Sequence, residues 1–405
     1  MESDMLPDFE VYKSDSNKVL TLQLARNQSD YDDKWQIFSP EMTHQIYGQE
    51  ETIFGYIGLQ IKLTYGAGSL LTYVGIKYDK KLNSNKSGIK IDEPLKPLLE
   101  YLPRGYYQDE THFFKSLDQA ESKFQPPGDQ IYHYSNKGGD FVIYKSGVDT
   151  PSLKEYHKRL RTFLLWYVDG ASYIDDDDPR WHFYILFQKY RVHNGDIRYA
   201  VIGYTTTYSF YSYPDKVRCR ISQFLILPPY QRNGHGTKLL EAVYGDLISD
   251  KSVADITVEE ASDNFVGLRD YVDVKAALKL KCFSKSRFSS GPVTFNEEIV
   301  NEIKEKRKMY RRQARKVYEI IRLYYISPND KKALGRFEKE VKSRLAIPFR
   351  KQEQQDKKMA KILSPTELAY MLAMRGTHDV ESEINEQYLN VLQSYQFIVN
   401  KISSL

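Results

Sequence analysis

Cysteine is nearly absent from this chain, whose 405 residues include only Cys219 and Cys282. Two cysteines cannot build a disulfide framework in a chain of this length, and their separation matches no metal-ligand spacing. We therefore expect two reduced thiols and no bound metal ion.

Long apolar runs are also missing, because no window contains eighteen consecutive apolar residues. The first residues, Met1-Glu2-Ser3-Asp4, lack the basic and apolar segments of a signal peptide. These absences predict a soluble, intracellular protein with no membrane partner.

Composition is otherwise that of a globular protein, except that 33 tyrosines raise the aromatic share to 14%. A chain of 405 residues exceeds the usual size of one hydrophobic core. We expect three parts: a mixed α/β N-terminal domain over residues 1–115, a central domain over 116–285 and a helical region over 286–405.

Charge is distributed unevenly along the chain. Residues 1–51 hold eleven acidic and four basic residues, a balance that suits a basic partner. Residues 304–316 hold eight basic residues and one acidic residue. That run has two interpretations, a nuclear-localisation or nucleic-acid patch and a solvated helix face. The apolar Val317, Ile320 and Ile321 that follow favour the helix face.

Apolar periodicity predicts mixed secondary structure before residue 296 and helices after it. A long helix is predicted over residues 153–173. Short segments typical of strands lie at 57–65, 70–78, 140–145, 183–187, 199–208, 220–227, 254–258 and 278–283. The first two strands flank turn residues and predict a hairpin, and the last would close the central sheet.

One segment combines a strand, a glycine-containing loop and a helix. Pro228 and Pro229 follow the strand at 220–227, and Gly234 and Gly236 precede a helical repeat of apolar residues. Backbone N–H groups converge at such a helix N-terminus, where the dipole is positive and glycine lets a phosphate come close. Alone, this glycine spacing is a weak indication.

The surrounding residues strengthen the interpretation. The string from Arg220 to Gly236 resembles motif A of the GNAT acetyltransferases, whose Q/R-x-x-G-x-G/A signature follows a strand. In particular it is similar to the catalytic subunits of type B histone acetyltransferases, as are segments 47–56, 155–182 and 257–260. The resemblance covers residues 40–285. It implies an α/β (α+β) fold with a GNAT core, a mixed N-terminal domain and a helical C-terminal region.

The resemblance implies that the central domain binds acetyl-CoA as a co-substrate. Backbone groups of Phe224, Leu225 and Ile226 would pair with the pantetheine arm, although a plain buried strand would look the same. Ser262 and Arg269 would reach the far end of coenzyme A. The pyrophosphate would be held by the loop and helix start, namely Gln231, Arg232, Asn233, Gly234, His235, Gly236 and Thr237.

Lysine acetylation also needs a base, because an ammonium group with a pKa near ~10.4 is almost fully protonated at neutral pH. Glu259 matches the family's proposed general base, at the end of the strand that follows motif A. Glu260 and Asp169 match two further acids. The family usually has Asp-Pro where this chain has Glu260-Ala261, and Glu where it has Asp169. A solvated acid at a strand end is the alternative interpretation of Glu259.

A basic histone tail needs an acidic groove. Glu50, Glu51, Asp169 and Asp175 could supply this groove by their charge. The resemblance implies contacts with the tail at Tyr208, Ser209, Phe210 and the position of Gln49. Gln49 stands where the family often has Asp, which removes one expected contact.

The implied reaction is direct acetyl transfer in a ternary complex, since no cysteine and histidine stand in a nucleophile arrangement. The implied substrate is the tail of newly made histone H4, bound with H3. The implied partner is a WD-repeat histone chaperone of the retinoblastoma-binding type, in nucleus and cytoplasm, and nucleic acid is not expected as substrate. Two alternatives stay open: a GNAT enzyme for another amine, such as a protein N-terminus or polyamine, and a catalytically weak histone-binding scaffold.

Overall fold

The structure is a computed structural model that describes residues 9–33, 36–83, 90–170, 172–289, 291, 293–364, 367 and 379–404. The chain divides into two compact units, Met1–Ala254 with Val258–Glu260, and Asp255–Thr257 with Ala261–Leu405. The three-part division at residues 115 and 285 stays a prediction. No helix within the described ranges has the length and apolar character that spanning a bilayer requires.

The N-terminal part of the first unit contains short strands. They are β1 Lys13–Asp15, β2 Leu20–Ala25, β3 Ile37–Phe38, β4 Thr52–Phe54, β5 Tyr56–Ile57, β6 Gln60–Gly66, β7 Thr72–Lys77 and β8 Lys80–Lys81. Four of them form a sheet in the order β3-β2-β6-β7. β6 and β7 pair antiparallel, which confirms the predicted hairpin. Buried Glu121 closes its turn, because its carboxylate accepts the backbone N–H groups of Gly68 at 2.8 Å and Ser69 at 3.0 Å.

The central part contains longer strands. They are β9 Asp129–Asn136, β10 Gly139–Gly147, β11 Trp181–Arg191, β12 Ile197–Ser212, β13 Lys216–Ile226 and β14 Val253–Val258. They form a six-stranded sheet in the order β14-β13-β12-β11-β10-β9. The strands predicted at 140–145, 183–187, 199–208, 220–227 and 254–258 are thereby confirmed. Phe183 and Phe187 are fully buried on this sheet, and burying each such side chain contributes about 1.5–3 kcal/mol.

Helices cover parts of the first unit. They are α1 Ser16–Val19, α2 Gln28–Asp32, α3 His44–Tyr47, α4 Leu95–Tyr101, α5 Glu110–Lys123, α6 Leu153–Leu160, α7 Leu164–Tyr167 and α8 His235–Ser249. The single long helix predicted over 153–173 is wrong, because a 3-10 turn at Arg161–Phe163 separates α6 from α7. Val168 is already extended and Gly170 has a φ of +65°, so the helix ends before Asp169.

Helices form the described part of the second unit from residue 261 onward, and those after residue 296 confirm the predicted helical pattern. They are α9 Asp263–Ala277, α10 Lys285–Ser289, α11 Glu297–Arg307, α12 Arg311–Tyr325, α13 Lys331–Leu345, α14 Ile347–Met359 and α15 Val380–Ser403. The strand predicted at 278–283 is wrong. Leu278 ends α9, and Lys281–Phe283 is a 3-10 turn that buries Cys282 and Phe283. A short apolar run fits a helix end as well as a strand, and the flanking pattern did not separate the two.

The basic run at 304–316 lies on α11, on α12 and between them. Several of its cations pair with acids in the same unit: Arg311 with Glu297, Arg315 with Glu319 and Lys316 with Asp270. The opposite face of α12 buries Val317, Ile320 and Ile321. An amphipathic helix face therefore accounts for much of this run.

Candidate functional site

The loop between β13 and α8 has the geometry of an anion site. α8 begins at His235, and its N-cap residue is Gly234 in the left-handed region at a φ of +82°. Gly234 makes no side-chain capping hydrogen bond, and the first N–H groups of any α-helix lack an acceptor within it. These donors lie at the positive end of the helix dipole, which suits a phosphate group.

Side chains of the loop hold its own backbone. Gln231 Nε2 donates to the carbonyl oxygen of Ile226 at 2.9 Å, and Asn233 Nδ2 donates to the carbonyl oxygen of Gln231 at 3.1 Å. Gln231, Arg232, Asn233 and Gly234 are exposed, while Gly236 and Thr237 are half-buried. The predicted anion-binding residues thus lie together on an accessible turn.

His235 is the exception among these residues, because its side chain packs inward. Its Nδ1 lies 2.6 Å from the Tyr134 hydroxyl, and its ring centroid lies 4.5 Å from that of Phe141. Burial lowers the pKa of this imidazole below its ordinary value, which favours the neutral form. The main chain of His235 remains at the helix start, so a role in binding the pyrophosphate would use the backbone.

β13 continues past the end of β14. The N–H of Val217 donates to Ser252 at 2.9 Å, and the N–H of Glu259 donates to Ile221 at 2.9 Å, so the two strands run side by side up to Ile221. β14 ends at Val258, whereas β13 runs on to Ile226. Its last residues pair on their other side with β12, where Phe224, Leu225 and Ile226 face Thr205, Tyr204 and Gly203.

Glu259 directly follows the last residue of β14 and lies beside β13. Its side chain is 47% exposed, and its Oε1 lies 3.7 Å from a guanidinium nitrogen of Arg220. Its Oε2 accepts a hydrogen bond from the Ser222 hydroxyl at 2.8 Å. The structure therefore presents an accessible carboxylate at the end of a strand, hydrogen-bonded by Ser222 and near the cation of Arg220.

The two other predicted acids occupy different positions. Glu260 is exposed, follows Glu259 directly and has a φ of +25°, a strained value for a residue with a side chain. Asp169 is 74% exposed, and its Oδ1 lies 3.1 Å from Nε2 of His44. Because Asp169 follows α7 instead of lying on a helix, the helical placement expected for it is wrong.

Tyr208 and Phe210 lie on one face of β12. Their rings form a cluster with the ring of Trp181 and with the guanidinium groups of Arg180 and Arg220, which stack on them. The rings of Tyr208 and Phe210 meet edge to face at 4.6 Å, and that of Trp181 meets Tyr208 at 4.8 Å. The guanidinium of Arg220 stacks on Phe210 at 4.5 Å. This cluster connects two predicted substrate-binding residues to the surroundings of Glu259.

Ser209 lies apart from this cluster. Side chains alternate between the faces of a strand, so Ser209 lies on the face opposite Tyr208 and Phe210. Its hydroxyl lies 3.6 Å from Sγ of buried Cys219. A contact of this side chain with a bound peptide would have to occur on the other side of the sheet.

The three predicted residues of the N-terminal part, at positions 49–51, have different surroundings. Gln49 and Glu50 are exposed. The carboxylate of Glu51 instead accepts the backbone N–H groups of Thr43 at 2.6 Å and His44 at 3.0 Å. The hydrogen bond from Thr43 lowers the pKa of this carboxyl below its ordinary value. Glu51 therefore holds the start of α3.

The acidic run at 175–178 is largely paired with neighbouring bases. Asp176 lies 2.7 Å from Nδ1 of buried His157, and Asp177 accepts from Lys154 at 2.6 Å. Asp178 accepts from Arg180 and from the Tyr208 hydroxyl, and the hydrogen bond from Arg180 lowers the pKa of this carboxyl. Asp175 is exposed.

Ser262 and Arg269 belong to the second unit, where both side chains make contacts of their own. The Ser262 hydroxyl accepts the backbone N–H of Phe265 at 3.4 Å and caps α9. Arg269 lies 3.5 Å from Asp273 and donates to the carbonyl oxygen of Ile256 at 3.3 Å.

Arg220, Ser222 and His44 are neighbours of the predicted acids that the sequence did not indicate. Arg220 and Ser222 alternate along β13, so the strand period could have placed them on one face, but their contact with Glu259 is a tertiary one.

Among the residues that the structure describes, no group of three or more His, Cys, Asp or Glu side chains could hold a metal ion.

Three family models match successive parts of the chain: "Histone acetyl transferase HAT1 N-terminus" at residues 12–169, "Acetyltransferase (GNAT) family" at 151–267 and "Histone acetyltransferase type B catalytic subunit, C-terminal" at 269–323. These matches, together with the mixed sheet and the helical C-terminal part, confirm the predicted fold class.

Relatives match nearly the whole chain. The histone acetyltransferase type B catalytic subunits of Rattus norvegicus and Homo sapiens are each 37% identical to it over 97% of this chain and 94% of theirs. That of Kluyveromyces lactis is 33% identical over 81% of this chain and 83% of its own. The chain therefore belongs to the family of type B histone acetyltransferase catalytic subunits, acyltransferases of the GNAT superfamily that use acetyl-CoA.

Proposed function

We propose that this chain acetylates lysine side chains in the N-terminal tail of newly made histone H4, with Glu259 as the general base. The observation that carries the proposal is the accessible Glu259 carboxylate at the end of β14, beside the motif A strand. Arg220 contacts both this carboxylate and Phe210, so the base adjoins an exposed aromatic surface on which a peptide can lie.

The residues around the loop fit acetyl-CoA. The uncapped start of α8 would bind the pyrophosphate through backbone N–H groups of the Gln231 to Thr237 segment. The edge of β13 at Phe224, Leu225 and Ile226 would pair with the pantetheine arm, because β13 continues there beyond β14. Bound acetyl-CoA supplies a thioester carbonyl carbon, to which the amine adds before the C–S bond breaks.

Glu259 removes a proton from the lysine ammonium, directly or through one water molecule. Without a base, deprotonation near pH 7 costs roughly 4–5 kcal/mol of the barrier. The neutral Nζ then forms the new C–N bond and loses its second proton as the amide forms, while the thiolate of coenzyme A leaves and takes up one proton. Glu260 and Asp169 are the proposed auxiliary acids, the former next to Glu259 and the latter held by His44.

The basic tail would lie along the exposed residues of the first unit. Tyr208 and Phe210 would contact its side chains, and exposed Gln49, Glu50, Asp169 and Asp175 would supply polar and negative groups. Glu51 would support this surface from below by holding α3. For Ser209 the position facing Cys219 argues against a side-chain contact on the same surface.

Membership of the family supports proposals for the partners and the location. H4 would arrive bound to H3, and a WD-repeat histone chaperone of the retinoblastoma-binding type would associate with the enzyme. Ser262 and Arg269 would bind the far end of coenzyme A. The enzyme would act in the nucleus and the cytoplasm.

Steady-state turnover on matched peptides tests the proposal. The substrates are an H4-tail peptide with a blocked N-terminus, the same peptide with every lysine replaced by arginine and its N-terminus free, and spermidine. We expect kcat/KM for the blocked lysine peptide to exceed the others by roughly a hundredfold or more, about 2.7 kcal/mol. Preferred turnover of the free N-terminus or of spermidine would contradict the substrate assignment. Binding of acetyl-CoA without turnover on any of them would indicate a scaffold.

A further inference from the structure

We infer that Ser222 is a positioning residue for the base, orienting the Glu259 carboxylate through one hydrogen bond. The inference rests on the proposed function of Glu259. Ser222 would affect the reaction through Glu259 and would touch neither substrate.

Glu259 is anchored by its main chain, and Ser222 adds an anchor for its side chain. The N–H of Glu259 donates to the carbonyl oxygen of Ile221 at 2.9 Å, which fixes the backbone at the end of β14. A glutamate side chain retains three rotatable bonds beyond that point, and this one is 47% exposed. The hydroxyl of Ser222, donating to Oε2 at 2.8 Å, is the contact that selects one orientation.

Arg220 does not replace this contact. Its guanidinium lies 3.7 Å from Oε1, beyond hydrogen-bond distance, and both groups are partly exposed. Ion pairs of this kind contribute little energy and little geometry in water. Arg220 is also held by the ring of Phe210 at 4.5 Å, which keeps the cation beside the carboxylate without directing it.

The hydrogen bond divides the two carboxylate oxygens between two tasks. Oε2 accepts the Ser222 proton. We assign proton transfer from the substrate amine to Oε1, which this hydrogen bond does not use. A misplacement of about 1 Å in a reacting group can lower a rate by roughly a hundredfold. Loss of the orientation of this oxygen should therefore lower kcat measurably.

The test compares Ser222→Ala, Ser222→Cys and Ser222→Thr with the parent enzyme on the H4-tail peptide. We expect Ala and Cys to lower kcat by roughly five- to twentyfold while KM for acetyl-CoA and for the peptide stays within about twofold. Thr keeps the hydroxyl and is expected to restore kcat to within about threefold of the parent. Thermal melting of each variant separates loss of fold from loss of orientation.

Ser252→Ala is the matched control. The Ser252 hydroxyl also donates to a carboxylate, that of Asp250, at 2.7 Å. Ser252 lies immediately before the first residue of β14, at the opposite end of the strand from Glu259. Losing this similar exposed hydrogen bond should leave kcat and both KM values unchanged. A fall in kcat equal to that of Ser222→Ala would overturn the inference, because it would show a general effect of weakening β14.

A double variant separates failure of the inference from failure of the proposed base. If Ser222 acts through Glu259, adding Ser222→Ala to Glu259→Gln lowers kcat no further. Parental turnover in Glu259→Gln would refute the base itself. A large loss in Glu259→Gln beside parental kcat in Ser222→Ala, or additive losses in the double variant, would refute only the role of Ser222.

Discussion

The carboxylate of Glu51 accepts a hydrogen bond from the backbone N–H of Thr43 at 2.6 Å, which ties the residue just before β4 to the start of α3. Its neighbour Glu50 is exposed. Two adjacent glutamates that look equivalent in the sequence thus have different tasks, one in holding the fold and one at the surface. Separate substitutions should distinguish them.

Glu51→Gln should lower the free energy of unfolding by about 1–2 kcal/mol at pH 7, because the hydrogen bonds from Thr43 and His44 then end on a neutral amide oxygen and lose their charge assistance. The folded state lowers the pKa of Glu51, so this stabilisation is present above the ordinary carboxyl pKa and is lost as pH falls below it. Denaturant unfolding at pH 7 and at pH 3.5–4 measures it. Glu50→Gln serves as control, and equal losses in both variants would contradict the assignment.

Glu50→Lys should raise KM for the H4-tail peptide by roughly three- to tenfold with little change in KM for acetyl-CoA, since an exposed charge that attracts a basic peptide is reversed. The increase in KM for the peptide should become smaller as the salt concentration rises. Glu386→Lys on α15, another exposed acid, makes the same charge change in the second unit. A similar increase in that control would show that net charge alone is responsible.

Gly236→Val should weaken acetyl-CoA binding at least tenfold, about 1.4 kcal/mol, because it adds a branched side chain in the first turn of α8 where the pyrophosphate is expected. Gly245→Val places the same side chain in the same helix, at a position where an added Cβ meets no atom within 4 Å. Calorimetry with acetyl-CoA compares the two. Equal affinities would remove the loop from the cofactor site.

Stability of the helical unit should depend on Asp273. Burial raises the pKa of this carboxyl to about 6, and Gln313 Nε2 donates to it at 3.0 Å. Because the folded form holds its proton to higher pH than the unfolded chain, stability falls as pH rises from about 4 to about 6. The parent loses this stability at pH 7, whereas Asp273→Asn has no carboxyl to titrate. The free energy of unfolding of Asp273→Asn minus that of the parent should therefore be larger at pH 7 than at pH 4, by up to about 2–3 kcal/mol. Denaturant unfolding at both pH values checks this, and a constant difference would contradict it.

The sequence predicted the motif A strand, loop and helix well because each depends on local signals. Two prolines end the strand, Gly234 adopts a positive φ and the apolar repeat from Leu239 buries one face of α8. β9 was missed because most of this edge strand is exposed, so Asp129–Asn136 lacks a buried apolar alternation. The inward position of His235 depends on Tyr134, 101 residues away, and no local pattern predicts it.

Tertiary contacts also explain what the sequence could not show around the base. Ser222 lies 37 positions from Glu259, and their hydrogen bond arises because β13 and β14 run side by side. Glu51 resembled a groove residue by its charge, but its carboxylate accepts two backbone N–H groups at the start of α3. Charge patterns predict which surfaces attract a partner and do not reveal which carboxylates the fold already uses.

The pH dependence of kcat in Glu259→Gln tests the central claim most directly. Without the base, attack depends on the rare neutral lysine, whose population grows tenfold per pH unit until the lysine titrates near ~10.4. We expect kcat to fall by roughly 10²–10³ at pH 7, acetyl-CoA affinity to stay near the parent value, and the rate to keep rising toward pH 9–10 where the parent levels off. The same profile for Glu259→Gln with Glu260→Gln shows whether the neighbouring acid substitutes. Parental kcat and an unchanged pH profile in Glu259→Gln, with activity abolished by Glu260→Gln alone, would contradict the account and make Glu260 the base.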